Sequence, residues 1–125
     1  MPATTLVAVL LRLEAAGILV VAVAAYPVLG FSWWLFATLI LAPDLALLVY
    51  LADRKLGALA YNVVHTHIGP FLLGGVGYLN NQTLLMALAA IWATHIAVDR
   101  VVGYGLKFPD DPKDTHLSRL NKLRA

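Results

Sequence analysis

Four long apolar runs alternate with short connections along the chain. The runs cover residues 5–26, 32–51, 57–77 and 83–101. Each run is close to the ~20 residues that an α-helix needs to cross the apolar core of a bilayer. Because the connections are short, neighbouring helices must run antiparallel. The pattern therefore predicts an all-α integral membrane protein. Residues 1–102 would form a four-helix antiparallel transmembrane bundle, and residues 103–125 a cytoplasmic tail.

Composition supports this prediction and narrows the classes of function. Hydrophobic residues make up 61% of the chain and charged residues 13%, whereas about 25% charged residues is typical of soluble domains. The chain has no cysteine, which excludes disulfides, thiolate ligands and thiol nucleophiles. A cleaved signal peptide has a basic stretch followed by a short apolar core, and the start of this chain does not match that pattern. We therefore expect the first apolar run to be retained. The net charge is +2, and the distribution of the basic residues favours contact with a lipid bilayer over binding of nucleic acid.

Basic residues gather on one side of the predicted bundle. Four spans put both termini and the middle connection on the same side, and that connection carries Arg54 and Lys55. Further basic residues follow in and after the last span: Arg100, Lys107, Lys113, Arg119, Lys122 and Arg124. The two opposite connections, residues 27–31 and 78–82, carry no charge. The positive-inside rule therefore predicts that both termini are cytoplasmic.

The tail begins with residues that do not favour continuation of the last helix. Gly103, Gly105, Pro109 and Pro112 interrupt it. Asp114 or Thr115 can then cap a short helix in which leucines three residues apart alternate with basic residues: Leu117, Arg119, Leu120, Lys122, Leu123 and Arg124. This pattern predicts an amphipathic helix on the inner membrane surface or packed beneath the bundle.

Ionisable side chains lie within the apolar runs, where their cost makes each a functional-site hypothesis. Counted at 1.5 Å per residue from the cytoplasmic ends, most of them lie about 9–14 Å deep. His95 and Asp99 are four residues apart and share a helix face, and Asn62 is one turn from His65. Pro43 and Pro70 each free a backbone carbonyl at a similar depth. We expect one polar site in the cytoplasmic half, built from Glu14, Asp44, Asn62, His65, His95 and Asp99.

The leading hypothesis for this site is a divalent metal, because carboxylates and imidazoles suit zinc, manganese or iron. Such an ion would support acid–base or hydrolytic chemistry on a membrane-soluble or amphipathic substrate. In this hypothesis His65, His95 and Asp99 are ligands, and Glu14, Asp44 and Asn62 are catalytic. The chain has no HExxH, GxSxG, P-loop or dinucleotide fingerprint, so we expect no nucleotide cofactor.

Two other classes of function remain open at this stage. A proton relay between Glu14 and His95 would couple protons to a small solute in a transporter or channel. It ranks second because the outer half of the predicted bundle has few polar groups. In a structural or partner-binding membrane protein, Glu14 and Asp44 would instead pair with Arg12 or Arg100. A homo-oligomer is compatible with all three hypotheses.

Several sequence strings resemble those of a known family: LRLE (11–14), APDL (42–45), GALAYNVVHT (57–66), IWATHIAVDRVVGYGLK (91–107) and KDTHL (113–117). Together they resemble a bacterial membrane family catalogued as domain of unknown function 4260, from about Leu11 to Leu120. The resemblance implies a small integral membrane protein and implies no activity. With the charge distribution above, we expect it in the bacterial inner membrane. The family pattern has glycine and phenylalanine before KDTHL, where this chain has Asp111 and Pro112.

The same strings draw attention to residues at the inner end of the predicted bundle. Tyr104 and His116 lie within them, and we expect Tyr104 to be catalytic and His116 to fold beneath the bundle as a further metal ligand. Arg100 and Lys107 lie where anionic lipid head groups or a phosphate would meet the bundle, and we expect them to bind such groups.

Overall fold

The computed structural model describes residues 3–108 and 111–115. The described chain is mainly helical. Its α-helices are α1 (Ala3–Val28), α2 (Trp33–Leu39), α3 (Arg54–Val64), α4 (Ile68–Leu79) and α5 (Thr83–Val102). A 3₁₀-helix, Ala42–Leu51, lies between α2 and α3. After α5 two short strands, β1 (Lys107–Phe108) and β2 (Asp111–Thr115), pair antiparallel. The predicted amphipathic helix of the tail lies outside the described residues, apart from its first positions, which belong to β2.

Three helical stretches are long and apolar enough to cross a membrane. They are Thr5–Val28, Trp33–Leu51 and Thr83–Val102. Their bounds agree within two residues with three of the four predicted spans, residues 5–26, 32–51 and 83–101. Large apolar side chains such as Leu13, Val20 and Leu48 are exposed on these helices. Exposed apolar helices of this length are consistent with embedding in a lipid bilayer.

The predicted third span, residues 57–77, is divided into α3 and α4 by a break at residues 65–67. Pro70 lies in the first turn of α4 and has no N–H with which to continue an α-helical ladder across the break. Side chains of α5 donate to two carbonyls at the break: Trp92 Nε1 to Val64 O at 2.6 Å and an Arg100 nitrogen to His65 O at 2.9 Å. The break is therefore held by α5 and is part of the packed structure.

The second apolar stretch changes helix type at its middle. Helix α2 ends at Leu39, and Pro43 lies near the start of the 3₁₀-helix. In an α-helix the N–H of Asp44 would donate to the carbonyl of Ile40, but here it donates to Leu41 at 3.0 Å. The carbonyl of Ile40 is instead within hydrogen-bonding distance of His95 Nδ1. The change in helix type therefore supplies a backbone acceptor to the site described below.

Helix α5 is the centre of the packing. It contacts both α1 and α4, whereas the 3₁₀-helix packs against α3. Small residues allow these close approaches: Ala8, Ala15 and Ala22 are buried on α1, seven residues apart. Arg12 Nε donates to the carbonyl of Val101 at 2.9 Å, which fixes the level of α1 against the end of α5. Glu14 therefore lies within about one turn of the last turn of α5.

Candidate metal centre

Four side chains converge where the 3₁₀-helix, the break between α3 and α4, and α5 meet. Asp44 comes from the 3₁₀-helix, His65 from the C-cap of α3, and His95 and Asp99 from successive turns of α5. One nitrogen or oxygen atom from each lies within 4.8 Å of those of the other three. The two imidazoles are buried, at 0% and 5% exposure, whereas the carboxylates of Asp99 and Asp44 are 21% and 41% exposed. The group therefore has a closed nitrogen side and a more open oxygen side.

The distances within the group match those of a coordination shell. The Nε2 atoms of His65 and His95 are 3.2 Å apart. Asp44 Oδ1 is 3.2 Å from the first and 3.0 Å from the second, and Asp99 Oδ2 is 3.6 Å and 3.4 Å away. Ligands bound at about 2.0–2.1 Å around a tetrahedral zinc ion are about 3.3–3.4 Å from each other. Five of the six distances between the four atoms are therefore close to that spacing, and the sixth, between the two carboxylate groups, is within 4.8 Å.

Backbone carbonyls fix the protonation of both rings on the side away from the cluster. Nδ1 of His65 lies 2.8 Å from the carbonyl oxygen of Tyr61, and Nδ1 of His95 faces that of Ile40. A carbonyl only accepts, so each Nδ1 must carry the proton and donate it. In the neutral ring, Nε2 is then unprotonated and its lone pair is available to accept a hydrogen bond or bind a metal. This pairing of Nδ1–H with a carbonyl is the usual support of a metal-ligating histidine.

Two neutral imidazoles and two carboxylates would present electron pairs to one another here, and a metal ion between them would relieve that repulsion. A proton on one Nε2 would also relieve the repulsion, since an imidazolium donates to a carboxylate. Protonation of both rings would bring two positive charges to 3.2 Å. The described geometry thus fits a metal ion, or a single proton on one of the two rings.

Aromatic and cationic side chains hold the two histidine-bearing segments in place. The ring of Tyr61 stacks on His65 with centroids 3.7 Å apart and planes 10° apart. Arg100 donates to the carbonyl of His65, as noted above, and also to that of Tyr104 at 3.3 Å. The carbonyl of Asp99 accepts from the N–H of Gly103, whose φ of 109° lies in the left-handed region that favours glycine. Helix α5 therefore ends in a defined cap one turn after Asp99.

The remaining residues predicted for the site lie elsewhere. Glu14 is exposed on α1 and lines a different cavity, together with Arg100. Asn62 lies on α3, and its carbonyl is near the N–H of His65. Tyr104 has an exposed side chain and contacts the cluster only through its N–H, which donates to Asp99 O at 2.8 Å. Lys107 belongs to β1, and His116 lies outside the described residues.

Sequence reasoning did not find the groups that orient the ligands. Tyr61 precedes His65 by four residues, a spacing that could have indicated stacking on one helix face. Trp92 could have been considered as a donor to the carbonyls freed near Pro70. The Ile40 carbonyl had no sequence signal beyond Pro43, which in a regular α-helix frees the carbonyl four residues earlier, that of Leu39.

Comparison with known families gives one match. The model of a family described as a domain of unknown function, DUF4260, matches residues 8–120. The matched region contains all four residues of the cluster. No curated protein and no solved structure matched the chain.

Proposed function

We propose that this chain, which belongs to the DUF4260 family, binds a divalent metal ion through Asp44, His65, His95 and Asp99. One observation carries the proposal. Two imidazoles whose Nδ1 atoms are tied to carbonyls present their Nε2 atoms 3.2 Å apart, beside two carboxylate oxygens. Such an arrangement of acceptors is unfavourable without a cation and fits a tetrahedral one.

Zinc is the metal that this donor set favours. Two nitrogens and two carboxylate oxygens at tetrahedral spacing suit Zn²⁺, whereas calcium and magnesium prefer shells of oxygen alone. Manganese and iron accept the same donors but commonly take additional ligands. We therefore rank zinc first, and manganese or iron after it.

The proposal includes a place in the membrane. Helices α3 and α4 together supply a fourth, broken span, and both termini lie on the cytoplasmic side of the bacterial inner membrane. The amphipathic tail helix predicted from the sequence would begin after Thr115 and would lie on that surface. Arg54 and Lys55 between the second and third spans, and the uncharged opposite connections, support this orientation. The cluster would then lie in the cytoplasmic half, with irregular backbone that is buried in protein.

The orientation can be measured with single cysteines because the chain has none of its own. We expect Gln82→Cys to react in intact cells with a thiol reagent that does not cross the inner membrane. Lys55→Cys should react only after the membrane is opened. The reverse labelling would contradict the orientation, and labelling of both positions in intact cells would contradict the four-span arrangement.

We further propose that the metal supports hydrolysis of an amphipathic substrate. A bound ion supplies Lewis-acid polarisation of a carbonyl or phosphoryl oxygen. Asp44 is the most exposed of the four residues, and withdrawal of its carboxylate would leave three protein ligands, the number typical of catalytic zinc sites. Asp44 would then accept a proton from water as general base. A cavity of about 350 Å³ is lined by Trp92 and by Pro43 and Val64, the chain neighbours of Asp44 and His65, and it would receive an apolar chain.

One preparation of the protein tests both metal binding and hydrolysis. The protein is purified in detergent with a tag that contains no histidine, and its metal content is measured by mass spectrometry. We expect about one zinc per chain, and turnover of a long-chain nitrophenyl ester that stops on chelation and returns with zinc. A protein that takes up no metal even after supplementation would overturn the metal site. Bound metal without turnover, for esters and phosphodiesters alike, would overturn the hydrolytic step alone.

A further inference from the structure

A second polar cluster lies at the end of a long apolar groove between α1, α4 and α5. The groove has a volume of about 700 Å³ and is lined by small and apolar residues, among them Gly17, Ala22, Gly75 and Ala93. At one end it adjoins a smaller cavity of about 210 Å³ lined by Glu14, His67 and Arg100. Glu14 and Ile18 line both spaces, so the two are neighbouring parts of one surface.

The polar groups of this end have unused hydrogen-bonding capacity. Both ring nitrogens of His67 are buried and have no partner among the described residues. The Glu14 carboxylate likewise forms no hydrogen bond or ion pair within the part of the chain that the structure describes. Arg100 donates to the carbonyls of His65 and Tyr104. Because a guanidinium has five N–H donors, further donors remain for a ligand. A ligand head placed here would meet an acceptor in Glu14 and a donor in Arg100.

This cluster lies at the end of α5, which is the cytoplasmic end in the proposed orientation and so the end nearer the lipid head groups. Arg100 lies in the last turn of α5, and the bond between Arg12 and Val101 brings Glu14 to the same end. From there the groove runs along α1 toward Leu29, beside exposed apolar helix surface. An amphiphile could therefore keep its head at the interface and its chain along the helices.

We infer that this surface binds a phospholipid whose head carries both a phosphate and an N–H-bearing ammonium group, the phosphoethanolamine type. The phosphate pairs with Arg100, the ammonium donates to Glu14, and one acyl chain fills the groove. The groove volume lies within the roughly 300–1,000 Å³ that is common for ligand pockets. Charge complementarity favours this occupant over an apolar helix of a second copy, which would leave the Glu14 carboxylate against a surface without donors.

The head-group assignment is tested by native mass spectrometry of the full chain with phosphatidylethanolamine, phosphatidylcholine and phosphatidylglycerol of equal chain length. We expect phosphatidylethanolamine to bind about tenfold more tightly than phosphatidylcholine, which has the phosphate but no N–H donor. Glu14→Gln keeps the shape and removes the charge, and it should abolish this preference. Equal binding of the two lipids by the wild type would overturn the inference.

The groove itself is tested with Gly75→Leu. A Cβ at Gly75 would meet no atom within 4 Å, so the leucine fits and occupies the groove. Val76→Leu is the matched control, because Val76 is exposed on the same helix and does not line the groove. We expect at least a tenfold loss of phosphatidylethanolamine binding in the first variant and none in the second. Equal binding would overturn the inference, and so would conversion of a dimer to a monomer by Gly75→Leu, which would place a second copy there.

This inference stands apart from the proposed metal function. Metal content should be unchanged in both Gly75→Leu and Glu14→Gln, because neither residue contacts the four-residue cluster. Loss of lipid preference with metal retained, or the converse, therefore identifies which of the two proposals fails.

Discussion

His95→Ala should abolish the zinc binding that we propose for the four-residue cluster. The substitution removes one of four ligands and also the donor to the Ile40 carbonyl, so the imidazole of His65 is left with two carboxylates. Removing only the partner of a metal ligand typically lowers affinity by about 10–100-fold, and the loss of a ligand should exceed this range. Zinc content should fall from about one per chain to background, and competition with a fluorescent chelator should show the loss of affinity.

His67→Ala is the matched control for that experiment. His67 is the same type of residue, only two positions from His65, yet its ring nitrogens have no hydrogen-bond partner among the described residues. It should therefore retain about one zinc per chain. Equal metal loss from His67→Ala and His95→Ala would mean that metal loss does not report the removal of a ligand, and the assignment of ligands would fail. Retention of metal by His95→Ala would contradict the site directly.

The pair His95 and Asp99 could be predicted from spacing alone, because residues four apart on a helix share a face. Asp44 and His65 could be placed near that pair because the second, third and fourth apolar runs are antiparallel neighbours and these residues lie at a similar depth from the cytoplasmic end. Glu14 was assigned to the same layer by the same count, but depth does not give direction. Apart from Arg12 and Glu14, the middle of helix α1 is apolar, so no polar face indicates which way Glu14 points. Its side chain turns toward the groove beside Arg100.

The long helices were predicted well because apolar length is a strong signal, and three of the four predicted spans agree with the structure. The third was predicted as one continuous run, and it is broken at residues 65–67. Pro70 signalled a freed carbonyl there, yet whether a helix kinks or breaks depends on partners distant in sequence. Trp92 and Arg100 are those partners. Their hydrogen bonds to the carbonyls of Val64 and His65 are tertiary contacts, which local sequence does not reveal.

The carbonyl that orients His95 depends on backbone geometry that no residue pattern specifies. Pro43 frees the carbonyl of Leu39 if the segment stays α-helical. Because residues 42–51 are 3₁₀-helical, the carbonyl that accepts from His95 is that of Ile40. Apolar residues in these ten positions fit either helix type, so sequence alone leaves the identity of the acceptor open. The four residues were thus predicted to lie together, with His65, His95 and Asp99 as metal ligands and Asp44 as a catalytic residue, but the groups that orient them were not.

A second large effect is expected on stability. If the cluster binds zinc in the folded protein only, zinc at 1,000 times its dissociation constant should raise the free energy of unfolding by about 4 kcal/mol. The measurement is an unfolding titration in detergent, performed with buffered free zinc and again with chelator. In His95→Ala the difference between the two conditions should vanish.

The difference within each protein is the informative quantity, because it separates a metal site from a set of internally paired charges. His95→Ala removes a buried ring and leaves a cavity, so it costs stability under either hypothesis. That cost is the same with zinc and with chelator and therefore cancels. If the four residues are a structural cluster held by one shared proton, the wild type too will unfold identically in both conditions. A zinc-dependent difference in the wild type and in His67→Ala, absent from His95→Ala, can arise only if zinc binds the folded state through His95.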